Sequence, residues 1–177
     1  SGPEASAESN ITVNLIEKFI EQGFDEATSL NTINSIMGMK FNEDEKFTTL
    51  DMNTIDLYTG NVSFIKVGGV VSFIKRGNEV EVIESSELPF GILDSIEVKK
   101  IKRKIKHGDI IVTITDGILD VDKNNAGNYR WVKDYLEKST TNPEYLSRDI
   151  LEKAKELCNG KIFDDMTVVV SKAYSIY

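Results

Sequence analysis

Two short segments carry the residue types best suited to chemistry. In Ile110-Ile111-Val112-Thr113-Ile114-Thr115-Asp116-Gly117, an apolar strand ends in a carboxylate followed at once by glycine. Burial of such a strand fixes Asp116 at its rim, and Gly117 permits a tight bend and the close approach of another group. That placement favours a hard cation held through oxygen, although an Asp-Gly pair after a strand also reads as an ordinary turn. In Asp164-Asp165-Met166-Thr167, adjacent carboxylates enter a valine-rich strand. Carboxylates there are costly unless paired, hydrogen-bonded or bound to a metal, so the pair asks for a cation. The plainer alternative is that one aspartate caps the preceding turn and the other is solvated. Side chains alternate along a strand, which makes one of the two the better ligand.

Other polar features have blander readings. Lys99, Lys100, Lys102, Arg103, Lys104 and Lys106 crowd a strand and its turn around Ile101 and Ile105. Such a run is an exposed strand edge that resists aggregation, or a local attractor of an acidic or phosphorylated partner. His107 sits in a Gly-Asp turn and reads as solvent-facing rather than catalytic. Trp131, Tyr135 and Tyr145 read as packing residues. Cys158, the one cysteine, has no intrachain partner and reads as helix packing, which fits a reducing compartment. With 21 basic and 29 acidic residues the formal charge is −8, which disfavours attachment to a nucleic-acid backbone. There is no Gly-rich phosphate loop or Gly-Lys-Ser/Thr sequence to support nucleotide binding. No apolar run approaches the roughly 20 residues of a membrane span.

The elements that must position these residues follow from periodicity. Pro3 suits a first helical turn, and Ile11, Leu15 and Phe19 recur on one face. Gly23 can end that helix and Asp25 can cap a second, striped by Ala27, Leu30, Ile33 and Met37. From about residue 47 the grammar changes to short β-branched segments. Stretches 50–57 and 62–67 flank a turn, and 70–75 and 79–83 flank another, as consecutive antiparallel strands. After the apolar loop Leu88-Pro89-Phe90-Gly91-Ile92, segments 96–105 and 110–115 resume the sheet across the His107-Gly108-Asp109 turn. Trp131, Val132 and Tyr135 mark a short helix. A longer one carries Leu146, Ile150, Ala154 and Leu157, with Gly160 at its stop; Asn142 caps it ahead of Pro143, or Thr141 and Glu144 form a capping box. The last strand, 166–171, holds three consecutive valines and reads as central. The result is an α+β layered domain.

These elements, in this order, resemble the metal-dependent serine/threonine phosphatase family of the protein phosphatase 2C type. The matching motifs are Thr115-Asp116-Gly117 and Asp164-Asp165-Met166-Thr167. Leu88-Pro89-Phe90-Gly91-Ile92 is similar to the family's Pro-Leu-Gly-Ile segment, and Val67-Gly68-Gly69 to its strand junction. Phe64-Ile65-Lys66-Val67-Gly68 with Ser72-Phe73-Ile74-Lys75-Arg76 looks like the sporulation phosphatases in particular. The resemblance covers nearly the whole chain. It implies a truncated α-β-β-α layered sandwich: two mostly antiparallel sheets flanked by helices, with two manganese or magnesium ions held between the sheets by aspartates. Asp116 and Asp164 carry over as metal ligands, and Gly2, Gly117, Asp165 and Thr167 as supporting positions.

The family's other metal-holding aspartates lie upstream, on an early strand and in an Asp-Gly-Met-Gly loop before the first long helix. Ser1-Gly2-Pro3-Glu4-Ala5 resembles the far end of that loop. Residues 1–177 therefore read as a single, incomplete phosphatase domain, with sheet from about 47, C-terminal helices over about 129–158 and a last strand over about 166–172. On the same resemblance, the parent is a cytoplasm-facing protein serine phosphatase acting on a phosphorylated anti-anti-sigma factor to promote sporulation sigma-factor activation. Membrane attachment of the parent stays open. The isolated chain is expected to bind ions weakly or not at all, to be inactive, and to self-associate through exposed sheet edges. The competing reading is a regulatory or protein-interaction scaffold on the phosphatase fold.

Overall fold

A computed structural model describes residues 3–41, 48–68, 71–85, 88–93, 95–121, 128–159, 161–162 and 164–174. In chain order the elements are α1 (Pro3–Glu21), α2 (Glu26–Phe41), β1 (Leu50–Ile55), β2 (Asn61–Val67), β3 (Ser72–Arg76), β4 (Glu79–Ile83), β5 (Lys100–Lys104), β6 (Ile110–Ile114), α3 (Asp116–Leu119), α4 (Arg130–Lys138), α5 (Pro143–Leu157) and β7 (Val168–Lys172). Three strands form a sheet in the order β1-β2-β5, and four form another in the order β4-β3-β6-β7. The chain divides into two compact units: Ser1–Met52, Ile65–Gly69 and Ser85–Ile101 form the first, and Asn53–Phe64, Val70–Glu84 and Lys102–Tyr177 the second.

In the first unit, Leu30, Ile33 and Met37 of α2 pack with Ile16, Ile65, Val67 and Phe90. Asp25 caps α2, accepting the Thr28 amide at 3.0 Å and its hydroxyl at 2.7 Å. The buried side of α1 is rotated from the expected stripe. Ile11 is exposed, whereas Thr12 and Ile16 are buried and Leu15 and Phe19 half-buried. Buried Asn34 pins the apolar loop to α2, donating to the Leu93 carbonyl at 2.8 Å and accepting the Gly91 amide at 3.0 Å. Segment 96–99 is not strand, because the Ile96 amide donates to the Asn31 side chain while Ile96 and Val98 pack on the core. The ammonium of Lys66 meets Asp51 at 2.6 Å with both side chains almost fully buried; burial pulls the lysine's pKa down and Asp51 opposes that fall.

In the second unit, β3 lies antiparallel to both β4 and β6, and β6 antiparallel to β7. Phe73, Ile110, Val112 and Ile114 build a core with Val132 and Leu136 of α4, Leu146, Ile150 and Ala154 of α5, and Cys158 at the C-cap of α5. Asn142 caps α5 ahead of Pro143, its side chain accepting the amides of Glu144 and Tyr145. Leu157 is exposed, and Cys158 takes the buried position there. Lys75 is buried on β3 and donates to the Leu136 carbonyl near the end of α4, a cation placed where a helix C-terminus favours one.

The strand order corrects three expectations. β2 and β3 do not pair: the chain changes sheets between them, through a segment of which residues 69–70 lie outside the described residues. The turn at His107 likewise joins strands of different sheets, since β5 pairs with β2 while β6 pairs with β3 and β7. The valine-rich β7 is an edge strand, not a central one. Val168 and Val170 pack on the core while Val169 is 53% exposed, so its valines serve a one-faced strand. Gly2 and Gly160 fall outside the described residues.

Candidate metal centre

Burial sets the position of Asp116. Strand β6 is held in the core through Ile110, Val112 and Ile114, and Ile118 and Leu119 return to the same core immediately afterwards. The intervening residues must therefore turn at the rim, where Asp116 is exposed as the first residue of the short helix α3.

Antiparallel pairing brings the second motif to the same place. The register sets Ile114 opposite Val168, so the exit from β6 lies beside the entrance to β7. Thr115 clasps the junction: its amide donates to the Thr167 carbonyl at 3.1 Å, and its hydroxyl accepts the Thr167 amide at 2.9 Å and donates to the Asp165 carbonyl at 3.2 Å. Gly117 completes the contact. A β-carbon there would stand 2.4 Å from the Asp165 carbonyl oxygen and 3.2 Å from that of Asp164, so only glycine permits this approach. The conformation of Gly117 itself is ordinary; closeness, not an unusual turn, is what the position requires.

Each leading aspartate is steadied by the next residue's amide. Oδ1 of Asp116 accepts the Gly117 amide at 3.0 Å, and Oδ1 of Asp164 accepts the Asp165 amide at 2.8 Å. In both, the other carboxylate oxygen accepts no hydrogen bond from the described residues. Asp164 is half-buried and Asp165 exposed, and Asp165 and Thr167 enter the junction through their backbones. Hard oxygen donors on a rigid rim fit a divalent cation such as manganese or magnesium. They fit as part of a shell, for among the described residues no group of three or more His, Cys, Asp or Glu side chains is gathered for a metal.

Thr115 was visible only as part of a motif. Its role as the clasp depends on cross-strand partners that a linear reading does not supply. His107 is exposed at the far end of β6, away from the junction.

The family model for stage II sporulation protein E (SpoIIE) matches residues 1–174. The chain belongs to this family. It is 38% identical over 171 residues to the stage II sporulation protein E of Bacillus subtilis (strain 168), which covers 96% of this chain and 21% of that relative. Among solved structures, the PP2C phosphatase domain of B. subtilis SpoIIE with a fragment of its regulatory domain superposes with a TM-score of 0.86 at 37% identity, covering 98% of this chain and 51% of that one. A Mn-presoaked structure of the B. subtilis SpoIIE phosphatase domain gives a TM-score of 0.69 at 35% identity, covering 94% and 73%. The chain thus shares the fold of the SpoIIE-type PP2C phosphatase domains, as the resemblance implied, and spans about a fifth of the curated relative's length. Among the described residues no helix is long and apolar enough to cross a membrane.

Proposed function

We propose that Asp116 and Asp164 hold part of the shell of two divalent manganese or magnesium ions in a protein serine phosphatase whose substrate is a phosphorylated anti-anti-sigma factor. The observation that carries this reading is the packing of Gly117 on the backbone of residues 164–165, which sets two carboxylate motifs from distant parts of the sequence side by side. The Mn-presoaked relative supports the choice of ion, and the family supports the reaction and the link to sporulation.

Hydrolysis of phosphoserine cleaves the ester P–O bond with water and releases the serine hydroxyl and inorganic phosphate. When bound, divalent cations supply a water of lowered pKa and neutralise charge on the phosphoryl oxygens. The chain's own residues do the placing. Thr115 and Gly117 hold the two motifs in register, Asp165 and Thr167 shape the entrance to β7, and Asp116 and Asp164 present oxygen. Taken alone the 177-residue chain is proposed to bind ions weakly and to lack turnover, since two fixed carboxylates do not complete a two-ion site.

The test joins this chain to the segment that precedes the matched region in the B. subtilis relative and assays release of phosphate from a phosphoserine protein. Manganese-dependent turnover, at least about 100-fold below that level in Asp116→Ala and in Asp164→Ala, is expected. Turnover that survives either substitution within about tenfold contradicts the assignment.

A further inference from the structure

The second unit contains a cavity of about 520 Å³ that the metal centre does not use. It opens between the turn at residues 56–60, the turn at 105–109 and the end of β7. Strands β6 and β7 each run from this cavity to the aspartate junction, so five-residue strands separate the two places by about 15–20 Å. The walls are fixed by backbone bonds. Ile105 donates its amide to the Gly60 carbonyl at 2.8 Å, a β-carbon on Gly60 would stand 2.7 Å from the Ile105 carbonyl oxygen, and Gly108 and Ala173 are linked at 2.8 Å.

The lining is divided by charge. Its carboxylates face inward bonds: both oxygens of Asp109 are taken by the Arg76 guanidinium, one of them also by the Lys106 amide, and Asp56 accepts the amides of Tyr58 and Thr59. Burial alone would raise the Asp109 pKa, but Arg76 and the Lys106 amide outweigh it and hold the group below its ordinary value. Bonds from Thr59 do the same for Asp56. Its cations are less fully engaged. The Lys106 charge helps to hold Asp109 ionised, but neither Lys106 nor Lys172 has a carboxylate within ion-pair distance among the described residues, and the Lys172 ammonium lies 5.5 Å from the centre of the Tyr174 ring. Tyr174 meets the His107 ring edge to face at 6.1 Å, and Ile105 and Ile111 belong to the same lining.

We propose that this cavity is a binding site for a small molecule bearing an anionic group on a flat apolar body: Lys106 and Lys172 take the anion, and the Tyr174 and His107 rings with Ile105 and Ile111 take the body. The volume falls within the range of small-molecule sites, and the lining sets Ile55, Leu57, Ile105 and Ile111 beside charged and polar side chains, a mixture suited to an amphipathic anion. A cation beside an aromatic face, with no ion-paired carboxylate among the described residues, is available to an incoming anion in a way that Arg76, already paired, is not. The proposal stands independently of the metal assignment, because none of its residues belongs to the aspartate junction.

The probe is phenylphosphonate, titrated into the 15N-labelled chain in buffer stripped of divalent cations, with inorganic phosphate and benzyl alcohol as separate arms. Saturable shifts confined to the amides of 56–60, 105–109 and 171–174 are expected, with phosphate and benzyl alcohol each at least about fivefold weaker. Phosphate binding as tightly as phenylphosphonate overturns the apolar part of the site. Benzyl alcohol binding as tightly overturns the anionic part. Shifts centred on 115–117 and 164–167, or no saturation by about 10 mM, overturn the proposal as a whole. Lys106→Gln with Lys172→Gln should weaken phenylphosphonate at least about fivefold while the remaining amide spectrum stays in place, and unchanged affinity in that variant rejects the role of the lysines. Tyr174→Leu, at an exposed position, provides a second variant with the same expectation for the ring.

Discussion

Adding one methyl group at Gly117 should loosen the junction on which the candidate site depends. In Gly117→Ala the new carbon would lie 2.4 Å from the Asp165 carbonyl oxygen and 2.9 Å from its carbon, both backbone atoms that cannot swing aside as a side-chain tip can. An unstrained carbon–oxygen contact is about 3.5 Å, so α3 and the entrance to β7 must part by about 1 Å. Overpacking of this kind costs about 1–3 kcal/mol, and parting also stretches the two Thr115 hydroxyl bonds at 2.9 and 3.2 Å. For a chain of this size that corresponds to a fall in Tm of about 3–10 °C. Calorimetry and urea unfolding measure it. Gly38→Ala is the control, since a β-carbon there meets nothing within 4 Å and the residue lies inside α2. It should stabilise by about 0.5–1 kcal/mol. A Gly117→Ala protein within about 0.5 kcal/mol of the parent would refute the close approach and with it the enforced proximity of the two motifs.

Two other outcomes follow from named contacts. Asp109→Asn should cost about 1–2 kcal/mol in urea unfolding, because it weakens a two-pronged guanidinium contact at a carboxylate only 4% exposed, discounted for the 47% exposure of Arg76. Since the folded pKa of Asp109 lies below its ordinary 3.8, its stabilisation is full above about pH 4 and is lost as pH falls through the lower folded value; the Asn variant should lack that part of the acid dependence, and an unchanged acid limb would contradict the pairing. We also expect self-association of the isolated chain, since β7 is an edge strand carrying the half-exposed Val169. Sedimentation equilibrium giving a monomer from micromolar to near-millimolar protein would contradict it.

What could be read in the residues was local or periodic. The Asn142–Pro143 start of α5, the Asp25 cap of α2 and the Leu30, Ile33, Met37 stripe depend on neighbours within a turn or two, and the structure has them in place. The expectation that the two aspartate motifs meet rests on the family resemblance instead, and what the structure adds is the packing of Gly117 on the backbone of residues 164–165. Partition between sheets was not legible. Nothing local tells β2 and β3 that they belong to different sheets, or tells β5 to pair with β2 instead of continuing into β6. The valine run of β7 does not make it central, because β-branched residues favour any strand and burial on both faces is only one reason to use them. Spacing alone points Ile11 and Leu157 inward, while α1 turns Ile16 to the core and Cys158, read as a packing residue, is buried beside the exposed Leu157. The Thr115 clasp and the distal cavity both join residues far apart in the chain, through hydrogen bonds that no spacing rule anticipates.

Manganese is paramagnetic and broadens the amide resonances nearest to it, so even a weak partial site is visible by NMR at millimolar ion. Titrated into the 15N-labelled chain, Mn2+ should first broaden the amides of 115–117 and 164–167 together, and both Asp116→Ala and Asp164→Ala should abolish that early broadening, as two carboxylates sharing a cation within ligand distances of about 2–2.6 Å require. Broadening that begins elsewhere, or that either substitution leaves intact at one motif, would show that the two aspartates do not hold a common ion.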